Sequence, residues 1–148
     1  MKRLRFRSIL IGIILLLALP MVASAETRSY YFTFSWVNQK ESSGIAVKDD
    51  NEQYAYMTGV EVFSHGETAQ YAGFRVREST GAAATGYHVF TVLTNQGFTY
   101  KYADFIGRHK FAYTVRTGVA GRNYELYGQY DDESQDTTPM QTIGKWTP

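Results

Sequence analysis

The run Tyr30-Tyr31-Phe32-Thr33-Phe34-Ser35-Trp36 sets an aromatic ring at every second position. A period of two puts Tyr30, Phe32, Phe34 and Trp36 on one face of an extended strand and Thr33 and Ser35 on the other. A helix would scatter the same rings around its axis. Rings supply most of the area that a small sheet buries, so this row is expected in the core; the alternative is the lining of a carbohydrate groove. Trp146 is the aromatic expected to stay partly exposed.

The same alternation recurs down the chain. Tyr54 to Phe63 and Thr68 to Arg77 read as a hairpin around Ser64-His65-Gly66-Glu67. Pairing Phe63 with Thr68 sets Met57 opposite Phe74 on one face, and Tyr56 opposite Arg75 and Tyr54 opposite Arg77 on the other. Tyr87 to Thr94 and Phe98 to Ala103 read as a second hairpin, with His88 opposite Asp104. Phe111 to Thr117 and Arg122 to Tyr130 read as a third, with Tyr113 opposite Leu126. Met140 to Trp146 is a last strand, with Ile143 alone on its second face. Asn38 to Gln53 is polar and loop-like, apart from a short edge strand at Ile45 and Val47. No helical stripe longer than two turns follows Tyr30. Seven or eight short strands with regular turn signals predict an all-β fold, a single antiparallel β-sandwich or a small β-barrel.

The first 25 residues have a different logic. Lys2, Arg3, Arg5 and Arg7 precede an apolar run from Ile9, broken at Pro20, and Ala23-Ser24-Ala25 supplies small residues for a peptidase. These three parts predict a cleaved signal peptide helix over 1–25 and one secreted β-domain over 26–148. The apolar run is shorter than the roughly 20 residues of a spanning helix, so no stable membrane anchor is expected after cleavage. Four of the 15 basic residues leave with it, and the remaining 11 against 14 acidic ones turn the formal charge from +1 to −3. A mildly acidic domain is a poor partner for nucleic acid. The chain has no cysteine, so its core must hold without disulfides outside the cell.

Few residues carry chemistry. Tyr54, Tyr56, Arg75 and Arg77 are the candidate binding residues. In the trial hairpin they form a Tyr/Arg ladder able to stack a sugar or clamp an anionic wall polymer, against the plainer role of steadying their own hairpin. His88 and Asp104 lack a nucleophile in a recognisable frame, so no catalytic residue is assigned. His65, His88 and His109 have no metal spacing. Asp49 to Glu52 and Asp131 to Asp136 are acidic, but the second has Asp136 where a calcium loop requires glycine. No metal and no cofactor is expected.

Tyr30-Tyr31-Phe32, Tyr100-Lys101-Tyr102, Tyr124-Glu125-Leu126-Tyr127-Gly128 and Gly144-Lys145-Trp146, behind a signal peptide, resemble the uncharacterised secreted β-rich proteins of Gram-positive bacteria grouped loosely with lactococcin-type bacteriocins. The resemblance implies a secreted β-domain and assigns no catalytic residue. The expected function is non-catalytic binding, in a bacteriocin-like or envelope-interacting factor whose partner is a cell-envelope polymer or another secreted protein. The rivals are a secreted hydrolase using carboxylates such as Glu61 and Glu78, and a structural or immunity-like protein that binds a protein partner through a strand edge.

Overall fold

The computed structural model describes residues 25–64, 66, 68–93, 104–134 and 137–148. The signal-peptide helix, the turn at His65 and the second-hairpin arm from Phe98 to Ala103 lie outside the described residues. Nine strands are described: β1 (Arg28–Phe34), β2 (Lys40–Ser42), β3 (Ala46–Val47), β4 (Tyr54–Ser64), β5 (Gln70–Glu78), β6 (His88–Leu93), β7 (Gly107–Ala112), β8 (Asn123–Tyr130) and β9 (Met140–Thr147). They form two packed antiparallel sheets, a β-sandwich and not a closed barrel. Sheet A has the order β1-β9-β4-β7, and sheet B the order β2-β8-β5-β6, with β3 also on β8.

The inward faces follow the alternation. Tyr30, Phe32 and Phe34 of β1 are buried, with Ala55 and Met57 of β4, Phe74 and Val76 of β5, and Leu126 and Tyr130 of β8. Phe32 stacks on Phe74 across the layers at 6.2 Å between centroids. Gly144 lets β9 lie close to its neighbours: a Cβ there would stand 2.2 Å from the Thr58 carbonyl oxygen and 2.6 Å from the Tyr30 phenol oxygen.

The row of four rings breaks at its last member. Asn38 turns with φ 67°, the chain leaves for β2 in the other sheet, and Trp36 is left 62% exposed. Trp146 moves the other way. It faces inward from β9 and is 1% exposed, against the expectation of a partly open ring.

Two of the expected hairpins do not form. The β4 strand pairs with β7 and β9, and β5 pairs with β6 and β8. The chain therefore passes from one sheet to the other between Ser64 and Gln70. The third expected hairpin fails likewise. Its first arm is displaced to β7 in sheet A, and β8 lies in sheet B. Val115, which that register sets opposite Tyr124, is 90% exposed, and Tyr113 meets Tyr124 across the layers at 5.3 Å. The physical reason is common to both. Two strands whose apolar faces match satisfy that match either side by side in one sheet or face to face across a core.

Candidate functional site

Because β4 and β5 lie in opposite sheets, the four residues Tyr54, Tyr56, Arg75 and Arg77 do not form one ladder. They split into two pairs on the two outer faces, and each pair finds partners of the opposite kind.

On the outer face of sheet A, Tyr54 and Tyr56 meet the cations of β7. The Lys110 ammonium lies 3.4 Å from the Tyr54 ring centroid, and the Arg108 guanidinium carbon 3.9 Å from that of Tyr56. The strand period explains the arrangement, since 54, 56 and 58 on β4 and 108 and 110 on β7 all point outward. Lys145 of β9 joins them, opposite Thr58, whose other neighbour is Arg108. Arg108, Lys110 and Lys145 are exposed. Among the described residues no carboxylate lies within ion-pairing distance of any of the three. The Tyr56 phenol donates to Glu52 at 2.5 Å, and that bond raises its pKa against the pull of Arg108. Among the described residues β7 is an edge strand of sheet A, and charged residues on such a strand guard it against pairing.

On the outer face of sheet B, Arg75 and Arg77 project from β5 over Tyr127 of β8. Their guanidinium carbons lie 5.0 and 4.6 Å from its ring centroid. Tyr127 is the direct cross-strand neighbour of Arg75. The Tyr87 ring flanks Arg75 at 5.4 Å. Tyr87 rests on Gly73, where an added Cβ would stand 2.0 Å from its phenol end. Its hydroxyl reaches Asp131 at 3.4 Å, and burial followed by the Asp131 charge raises its pKa.

The remaining candidates separate. The His88 ring packs edge-on against Phe111, the Asp104 carboxylate accepts from Thr91 at 3.4 Å, and the His109 imidazole bonds the Phe105 carbonyl at 2.8 Å. Glu61 stands exposed on sheet A, whereas Glu78 of sheet B is ion-paired to Arg122 at 2.8 Å. Asp50 is held by the buried Lys48 ammonium at 2.7 Å. Burial pushes the Asp50 pKa up, but the bonds from Lys48 and the Glu52 amide leave it below the usual carboxylate value. Among the described residues no three of His, Asp and Glu gather as metal ligands. The cations of β7 were missed in the sequence. In the sequence they stand out only as a basic triplet with His109, and only the alternation of Arg108 and Lys110 marks a strand face.

No family model and no curated protein matches the chain. Among solved structures, a periplasmic inhibitor of g-type lysozyme from Aeromonas hydrophila is similar over 86% of this chain and 92% of its own, at 12% identity and TM-score 0.39. A mitogen derived from Yersinia pseudotuberculosis is similar over 82% of this chain and 86% of its own, at 10% identity and TM-score 0.36. Likenesses this distant do not bear on what the chain binds.

Proposed function

We propose that the chain is an exported, non-catalytic binding domain that engages an anionic polymer of the cell envelope through the outer face of sheet A. One observation carries this reading: Arg108, Lys110 and Lys145 are exposed on one face with no carboxylate paired to them among the described residues. In water a single surface charge attracts weakly, but several held on one rigid sheet add along a polymer. The Tyr54 and Tyr56 rings hold two of the side chains in place, which lowers the entropy lost on binding. The acidic balance of 26–148 makes this face a local exception, so it orients the domain toward an anionic surface.

The test is sedimentation of the purified protein with isolated cell envelopes and with soluble polyphosphate. The triple variant Arg108→Ala, Lys110→Ala, Lys145→Ala should lose binding at least about tenfold, roughly 0.5 kcal/mol or slightly less per charge, with far-UV circular dichroism unchanged. Added salt should weaken the parent in the same way. Binding that survives the triple variant dismisses the proposal. Export is tested separately by amino-terminal sequencing of the secreted protein, with Glu26 expected first. A start at Met1 would refute cleavage.

A further inference from the structure

The outer face of sheet B carries a second arrangement that polymer binding on sheet A does not use. Arg75 and Arg77 lie within 5.0 and 4.6 Å of the same Tyr127 ring, and Tyr127 is buried beneath them. The buried Nε of Arg75 has no hydrogen-bond partner among the described residues. Arg77 spends its Nε–H on the Gly81 carbonyl at 2.9 Å. No carboxylate lies within ion-pairing distance of either guanidinium among the described residues. Two carboxylates stand near in the fold without an ion pair to either arginine. Glu125 opposes Arg77 in the β5–β8 register without an ion pair. Asp131 accepts from the Tyr87 phenol at 3.4 Å and from the Glu133 amide at 3.1 Å.

Two like charges therefore share one ring with no carboxylate paired to either among the described residues, an arrangement that an entering anion would relieve. Tyr87 and Tyr127 flank the Arg75 guanidinium and shield it from water, so an ion pair made there is stronger than at an open surface. A planar fork of N–H donors fits a carboxylate with two parallel bonds. The surroundings have the character of a protein contact. Tyr87 is 38% exposed, and beside it Val89, directly opposite Gly73, is 44% exposed. Arginine and tyrosine next to exposed apolar surface are the residue types that dominate binding energy between proteins.

We propose that Arg75 and Arg77 form a receptor for an acidic side chain of a protein partner, which docks on the outer face of sheet B. This site is independent of the polymer face, and either can fail without the other.

The experiment follows the arginine Nε–Hε resonances of the purified protein by NMR. The probe is an acetylated, amidated Gly-Glu-Glu-Gly peptide, with its Gln-for-Glu counterpart and inorganic phosphate as comparisons at equal ionic strength. The Glu peptide should move the Arg75 resonance saturably, and the other two should not. Arg75→Lys and Arg77→Lys keep the charge and remove the fork, and each should weaken binding about tenfold. Equal shifts with the Gln peptide, equal shifts with phosphate, or unaltered affinity in both lysine variants would each overturn the assignment.

Discussion

Lys110 stands directly opposite Tyr56 across β4 and β7, yet its ammonium sits 3.4 Å over the ring of Tyr54. Arg108 repeats the offset, opposite Thr58 but over Tyr56. Each cation thus reaches diagonally by two residues, a distance that long side chains on adjacent strands can span. A double-mutant cycle of Tyr54→Leu and Lys110→Met should return a coupling of about 0.5–1 kcal/mol in urea unfolding. A coupling of zero would mean that the offset does not contribute to stability.

Gly144 and Gly73 should respond differently to the same change. At Gly144 the new methyl group meets the Thr58 backbone carbonyl in the sheet interior, which cannot swing aside. Gly144→Ala should cost about 1–3 kcal/mol. At Gly73 it meets only the far end of the Tyr87 side chain, which can rotate away. Gly73→Ala should change stability by less than about 1 kcal/mol while displacing Tyr87 from Arg75. Denaturant midpoints measure the first effect, and the Tyr87 ring resonances the second.

Alkaline pH should unfold the protein through its buried phenols. Burial raises the pKa of Tyr30 and Tyr113, and burial with the Asp131 charge raises that of Tyr87. The folded state therefore keeps protons that the unfolded chain releases near pH 10. Their contribution is constant below about pH 10 and falls as pH rises beyond it. Phenolate absorbance from these rings should appear together with unfolding. The Tyr30 hydroxyl is buried with no partner among the described residues, so Tyr30→Phe should leave neutral-pH stability unchanged or raise it by up to about 1 kcal/mol. It should also shift the alkaline midpoint upward.

The two tryptophans should be resolved by fluorescence quenching. Trp36 is 62% exposed and Trp146 is 1% exposed. Acrylamide should quench the first readily and leave a blue-shifted component from the second. Trp36→Phe should remove nearly all the accessible fraction, and equal quenching of both rings would contradict the burial of β9.

What the sequence made legible was the inward face of β1, β4, β5 and β8. Tyr30, Phe32 and Phe34, Met57, Phe74, Val76 and Leu126 all point inward as their spacing requires. Pairing was not legible, because Met57 and Phe74 satisfy one apolar pattern whether they lie beside each other or across the core. The candidate site shared this fate. The choice of tyrosines and cations as partners was readable, but Tyr54 and Tyr56 take theirs from β7 and Arg75 and Arg77 theirs from β8 and Tyr87. The Trp36 exposure was hidden for another reason. β1 ends at Phe34, and Trp36 falls in the turn that carries the left-handed residue Asn38, where alternation alone would continue the strand.

The pairing of β1 with β9 has a consequence for how the protein is made. Arg28 meets Trp146 and Phe34 meets Met140, so β9 lies between β1 and the rest of sheet A. During synthesis the first strand has no neighbour in its own sheet until the residues around 140–147 have emerged. The edge of β1 must stay unpaired until then, although Phe74 of β5 can meet the Tyr30 and Phe32 rings earlier, and sheets assembled from such distant segments close slowly. Sheet A is thus completed only after the residues around 140–147 are made, which leaves the edge of β1 open to wrong pairing in the meantime.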